Sequence, residues 1–81
     1  MRDCYNYTLK DGRRHVYKGI TNDPEARLVE HVLDGKRFTH MVIDGTARTR
    51  PSAKRREAQA LATYRENHGG RNPKYNRTRD G

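Results

Sequence analysis

Residues Cys4 to Lys10 alternate between two sides, with Tyr5, Tyr7 and Leu9 on one and Cys4, Asn6 and Thr8 on the other. That is the period of a β-strand. Asp11-Gly12 is a hairpin signal, and Arg14 to Ile20 alternates again as the return strand. The loop length decides which side chains meet. A two-residue Asp11-Gly12 loop sets Tyr7 opposite Val16 and leaves Tyr17 on the far face. A three-residue loop through Arg13 sets Tyr7 opposite Tyr17, because a one-residue slip exchanges the faces. A site shared by both tyrosines requires the longer loop, which is the expectation.

Beyond the hairpin the period lengthens to that of a helix. Asp23 is a good N-cap and Pro24 suits the first helical position. The helix is expected to run to about Asp34 and to end at Gly35. Leu28, Val29, Val32 and Leu33 form its apolar stripe, and Arg27 and His31 stand one turn apart beside it, bordering the core. Met41-Val42-Ile43 reads as a short third strand, with Asp44-Gly45 turning out of it; Thr46 to Arg50 fits either more strand or loop. Ser52 is expected to cap a second helix reaching about Asn67, with Ala53, Ala60, Leu61 and Tyr64 facing inward. Glu57 falls within that stripe, and a buried Glu is uncommon unless paired or bound to a metal. Gly69-Gly70 stops the helix. The order β-β-α-β-α describes one α/β (α+β) domain over residues 1–81, with a core of about 4–76, built on a small antiparallel sheet.

Composition narrows the function. Only 31% of the 81 residues are hydrophobic and none is Trp, so the core must be thin. Eighteen Lys or Arg stand against ten Asp or Glu, a net charge of +8. Such a balance suits an anionic partner, nucleic acid before an acidic membrane, since no stretch pairs a basic face with a bulky apolar one. Cys4 is the only cysteine, which rules out an intramolecular disulfide and a Cys-based zinc site. With no membrane-length apolar run and no signal-peptide pattern, an intracellular, cytoplasmic setting is expected.

The polar residues left over are few. A Glu can hold one hard divalent cation through oxygen, with waters in the other positions, and the cation would stabilise charge on a phosphodiester. An Arg can clamp non-bridging oxygens in a two-pronged contact. Tyr or His can take a proton from the attacking water. A free Tyr titrates near about 10, so acting as a base needs a neighbour that lowers it; Lys18, Arg27 and the metal are the candidates. Each residue also has a plainer use: strand tyrosines pack, Arg27 and His31 can form a solvated face, Glu57 can pair with Arg27 or a Lys, and Asn76 can make a turn.

Several spacings together resemble the GIY-YIG nuclease superfamily. Tyr5-Asn6-Tyr7 stands at the first motif and Tyr17-Lys18-Gly19 at the second, with the two motif tyrosines ten residues apart. Arg27 follows Gly19 by eight residues and His31 comes one turn later. Arg55-Arg56-Glu57-Ala58 is similar to the helix carrying that family's metal-binding Glu, and Pro73-Lys74-Tyr75-Asn76 to its closing element. The resemblance implies a three-stranded antiparallel sheet flanked by helices and single-metal hydrolysis of DNA. It implies catalytic roles for Tyr7, Tyr17, Arg27, His31, Glu57 and Asn76. Tyr7 or Tyr17 would be base or water-positioner, Arg27 would stabilise the transition state, His31 would orient a tyrosine or assist proton transfer, Glu57 would bind Mg²⁺ or Mn²⁺, and Asn76 would support the site.

Two positions depart from the pattern: Tyr5 replaces the first Gly and Lys18 replaces the middle Ile. Lys18 is expected on the face opposite Tyr17, toward DNA or solvent. No second domain is expected within 81 residues, so DNA contacts would come from Lys18, Lys36, Arg37, Arg48, Arg50, Lys54, Arg55, Arg56, Arg71, Lys74 and Arg77. Phosphate contacts by these residues give salt-dependent, weakly specific cutting or nicking, unless a homodimer or partner protein adds specificity. The alternatives are a GIY-YIG-fold binding or accessory module with impaired turnover, and an RNA-directed basic protein, which lacks a recognisable aromatic stacking platform in the sequence.

Overall fold

The structure, a computed structural model, describes residues 3–76. Strands β1 (Cys4–Asp11) and β2 (Arg14–Thr21) are followed by helix α1 (Pro24–Leu33), strand β3 (His40–Arg48) and helix α2 (Arg50–Asn67). The sheet is antiparallel with β1 in the middle, in the order β2-β1-β3. This is the expected small α+β fold. Having neighbours on both sides, β1 buries Tyr7 and Leu9 almost completely.

The hairpin brings the tyrosines onto one face by a different device from the one expected. The turn is Gly12-Arg13, with Asp11 paired to Arg14 and Gly12 at φ 64°. The register then slips: Lys10 pairs with His15 but Leu9 pairs with Tyr17, leaving Val16 as the extra residue of a bulge. Tyr7 therefore lies opposite Gly19 rather than Tyr17, and Tyr17 is its diagonal neighbour. The parity is the one a three-residue loop would have produced. The unpaired Val16 turns into the core beside Tyr7 and Leu9, where Tyr17, Phe38, Met41 and Tyr75 pack against the three.

β3 does not turn out at Asp44-Gly45. It continues to Arg48, because the register slips between the pairs Asn6–Asp44 and Cys4–Arg48 and so absorbs Gly45 at φ 75°. Helix α1 is capped as expected, with Asp23 Oδ1 accepting from the Ala26 amide. Its end is a Schellman closure: the Lys36 amide donates to the His31 carbonyl and the Gly35 amide to that of Val32, with Gly35 at φ 79°. Its apolar stripe, however, is not buried. Val29, Val32 and Leu33 are exposed, and the residue α1 buries is His31. Only a rotation of α1 that turns the stripe away lets the imidazole reach the tyrosines.

The cap of α2 is Thr49 rather than Ser52; its hydroxyl accepts from the Ser52 amide, and Pro51 sits in the first turn, where its fixed φ suits the helix. The inward stripe matches expectation, with Ala53, Glu57 and Leu61 buried and Ala60 and Tyr64 half-buried. After α2, the Tyr75 amide donates to the Val16 carbonyl, and the Asn76 side chain bonds both backbone groups of Lys18. The chain thus returns along the free edge of β2. No helix among the described residues is long and apolar enough to cross a membrane.

Candidate functional site

β1, β2 and α1 converge on a cluster of two phenols and one imidazole. Tyr7 Oη lies 2.7 Å from His31 Nε2, inside a buried environment. The Tyr17 ring centroid is 4.8 Å from that of His31 and 5.9 Å from that of Tyr7, and the two hydroxyls share a hydrogen bond. The Tyr7 hydrogen serves one partner at a time. When it goes to His31 Nε2, the imidazole proton sits on Nδ1; when it goes to Tyr17, His31 Nε2–H donates to Tyr7. His31 Nδ1 has no hydrogen-bond partner among the described residues, so nothing there locks the tautomer.

Gly19 makes this cluster sterically possible. A Cβ at position 19 would lie 2.7 Å from Tyr7 Oη and 2.8 Å from Tyr17 Cε2, closer than real Cβ contacts allow. The second motif's glycine therefore supplies the space in which the two rings approach.

The electrostatics reverse one expectation. Burial pushes the Tyr7 hydroxyl far above the usual phenol range; Tyr17 and Glu57 push it further, and Arg27 only partly opposes them. Burial raises Tyr17 as well, again against Arg27. The charges of this chain therefore do not activate either tyrosine as a free phenolate. Burial, with Lys36 and Arg27, lowers His31 instead, so its imidazole is neutral at pH 7 and able to accept a proton. Lys18 plays no part in tuning the tyrosines. It lies on the other side of β2, half-buried, with Nζ donating to Thr8 Oγ1 at 3.3 Å and to His15 Nδ1 at 3.0 Å, and desolvation lowers its pKa.

Arg27 is exposed at the rim, its Nη1 3.1 Å from Glu30 Oε2. Its charge reaches both tyrosines. Glu57 is 9% exposed, and lines a cavity of about 380 Å³ with Tyr7, Gly19, Thr8 and Lys18. Among the described residues no three His, Cys, Asp or Glu side chains gather around a point. Glu57 is the buried carboxylate of a cavity that Asp44 also lines and that Lys10, Lys18 and Arg56 border; a hard cation held there through oxygen would keep most of its water, as Mg²⁺ does. Asn76 is buried, but it touches the Lys18 backbone rather than the tyrosines; its place is to hold β2, one residue from Tyr17 and one from Gly19.

The basic residues divide. Arg48 folds inward, its Nη1 donating to Asn6 Oδ1 and to the Asp44 carbonyl, and Arg56 pairs with Asp44 at 3.0 Å. Arg48, half-buried, thus closes the β3 bulge. Lys36 lies 5.6 Å from the Tyr17 ring centroid and 3.4 Å from Asp34 Oδ2. Arg37, Arg50, Lys54 and Arg55 are exposed. Arg71 and Lys74 line a second cavity. Arg77 lies outside the described residues.

The sequence reading also missed an aromatic stack. Tyr64 and His68 stack with centroids 3.8 Å apart and planes 6° from parallel, and His15 stacks on Tyr64 at 6.2 Å. The i, i+4 spacing of Tyr64 and His68 was a local signal for the first pair; His15 joins only through the hairpin bulge. No protein-family model matches the chain, and no significant match was found among curated proteins or solved structures.

Proposed function

We propose that the chain is a metal-dependent DNA endonuclease of the GIY-YIG type, hydrolysing phosphodiester bonds. The observation that carries this reading is the buried Tyr7–Tyr17–His31 cluster built around Gly19, with the charges of Arg27 and Glu57 in reach of both hydroxyls.

In this reading His31 is the proton's destination. As water attacks phosphorus, its proton passes to the Tyr7 oxygen while the Tyr7 hydrogen passes to His31 Nε2, so no free phenolate forms. The new bond joins the water oxygen to phosphorus, the ester bond to the departing sugar oxygen breaks, and that oxygen takes its proton from solvent. Tyr17 orients the Tyr7 hydroxyl. Arg27, released from Glu30, clamps the non-bridging oxygens, which gain charge in the transition state. Glu57 would hold Mg²⁺ or Mn²⁺, which when bound supplies charge neutralisation at the phosphodiester and its leaving oxygen. The surplus of exposed Lys and Arg would hold the duplex through its phosphates, giving weakly specific cutting unless a second copy or a partner protein contributes.

A second reading, an accessory module that binds nucleic acid without turnover, draws on the Glu30 carboxylate already held by Arg27. Supercoiled plasmid incubated with Mg²⁺ or Mn²⁺ separates the two. The nuclease reading expects nicked or linear product, reduced about 10²-fold or more in Glu57→Ala and in Arg27→Ala. Equal cutting by all three proteins would point to a contaminant, and binding without cutting would favour the accessory module.

A further inference from the structure

A second cavity opens beside the one lined by Tyr7 and Glu57. It measures about 550 Å³ and is walled by the hairpin turn, the last turns of α2 and the segment after it. Its lining carries five cationic side chains, Arg13, Arg14, Lys18, Arg71 and Lys74, and no carboxylate. It also contains His15, Tyr64 and His68, the members of the aromatic stack.

A plainer explanation covers part of this. Cations near the C-terminus of a helix are favourable against its dipole, so Arg71 can stand beside the end of α2 without any ligand. That argument does not reach Arg13 and Arg14, which arrive from the β1–β2 turn. Among the described residues no ion pair or hydrogen bond holds the guanidinium of Arg13, Arg14 or Arg71. Like charges brought together without counter-ions cost energy unless an anion joins them.

The rings specify more than an anion. His68 Nδ1 lies 2.8 Å from the Tyr64 carbonyl oxygen, which can only accept. The proton is therefore on Nδ1, and the ring is pinned flat against Tyr64. His68 is exposed at the end of the stack. A flat π surface beside several guanidinium groups is the chemistry that holds a nucleobase and its phosphate together. A cavity of this size suits a mononucleotide unit. Double-stranded DNA cannot offer one, because its bases are already stacked and paired.

We propose that this cavity binds an unpaired nucleotide of a DNA strand, its base against the His68–Tyr64 stack and its phosphate on Arg14 and Arg71. The cavity shares His15, Lys18 and Ala60 with the one bordered by Glu57, so a strand seated here runs beside the candidate catalytic groups. The proposal uses the nucleic-acid partnership proposed above but does not depend on cutting.

The test is a binding titration of the full chain in chelator, so that cleavage plays no part. The probes are a labelled thymidine octamer, an octamer of abasic units with the same phosphates, a duplex, and thymidine 5′-monophosphate as competitor. The octamer is expected to bind more tightly than the abasic strand. His68→Ala, an exposed position that leaves the fold intact, and Tyr64→Leu should each weaken octamer binding about fivefold or more and leave the abasic strand unchanged. Arg14→Gln with Arg71→Gln should weaken both strands. Equal affinity for octamer and abasic strand, or no effect of either ring substitution, overturns the proposal, as does a monophosphate that binds more tightly than the octamer. Duplex binding without octamer binding overturns this site alone. Ring-dependent octamer binding by a protein that never cuts plasmid leaves this site standing and removes the nuclease reading.

Discussion

Gly19 and His31 are the two residues on which the tyrosine cluster turns. Gly19→Ala forces a methyl group to within 2.7 Å of Tyr7 Oη, and β1, pinned in mid-sheet, cannot move away. Urea denaturation should show a loss of about 1–3 kcal/mol, with plasmid cutting falling at least as far as for loss of a catalytic side chain. An unchanged midpoint would mean that the rings have room that the structure denies them. For His31 the prediction concerns pH. An imidazole ordinarily titrates near 6.5, and burial moves this one lower. The proton-accepting neutral form therefore persists below pH 6.5, and cleavage should begin to fall only below that value. His31→Gln should lower the rate by about 10²–10⁴-fold and remove the acid limb. A limb at or above pH 6.5, or one that survives the substitution, would take His31 out of the proton path.

At the scale of elements, α1 carries two of the candidate site residues, Arg27 and His31, while most of its apolar stripe faces out. Its exposed Leu33 is 81% accessible, whereas Leu61 of α2 is fully buried. Leu33→Ser should therefore change stability by no more than about 0.5 kcal/mol. Leu61→Ala should cost about 2–5 kcal/mol, with the spread set by how far the site collapses. Comparable losses from both, measured by thermal or chemical denaturation, would show that α1 packs its stripe against something after all. The Asp23 cap and the Gly35 closure fix the ends of α1 itself; what ties the helix to the sheet is His31, hydrogen-bonded with Tyr7 and set against the Tyr17 ring, with Leu28 half-buried. The bulge at Val16 is the other decisive local feature, since it sets both the tyrosine face and the place of His15 beside Tyr64.

For the whole molecule, two histidines make the fold acid-sensitive. His15 and His31 both have lowered pKa values in the folded state, each mainly through burial and then through neighbouring lysines. Above pH 6.5 folded and unfolded chains hold them neutral alike. Below it the unfolded chain takes up protons that the folded one resists, so stability declines as pH falls. The melting temperature should drop steadily between pH 7 and pH 5, above the range in which ordinary carboxylates titrate. A melting temperature that does not move over this interval would mean that neither imidazole is protected from protonation.

The element order, the caps at Asp23 and the two glycine-rich helix ends were legible in the sequence because they depend on neighbours a few residues away. The inward stripe of α2 followed from its spacing, and so did the oddity of Glu57 within it. The register of the hairpin, the length of β3 and the rotation of α1 were decided only in three dimensions. Each rests on contacts between distant segments: Val16 turned into the core, Arg48 reaching back to Asn6, and His31 drawn to Tyr7 at the expense of an apolar stripe. The same holds for the chemistry. Sequence spacing brought Tyr7, Tyr17, Arg27, His31 and Glu57 under consideration. The depth at which the fold buries them set which of those groups is able to take a proton near neutral pH.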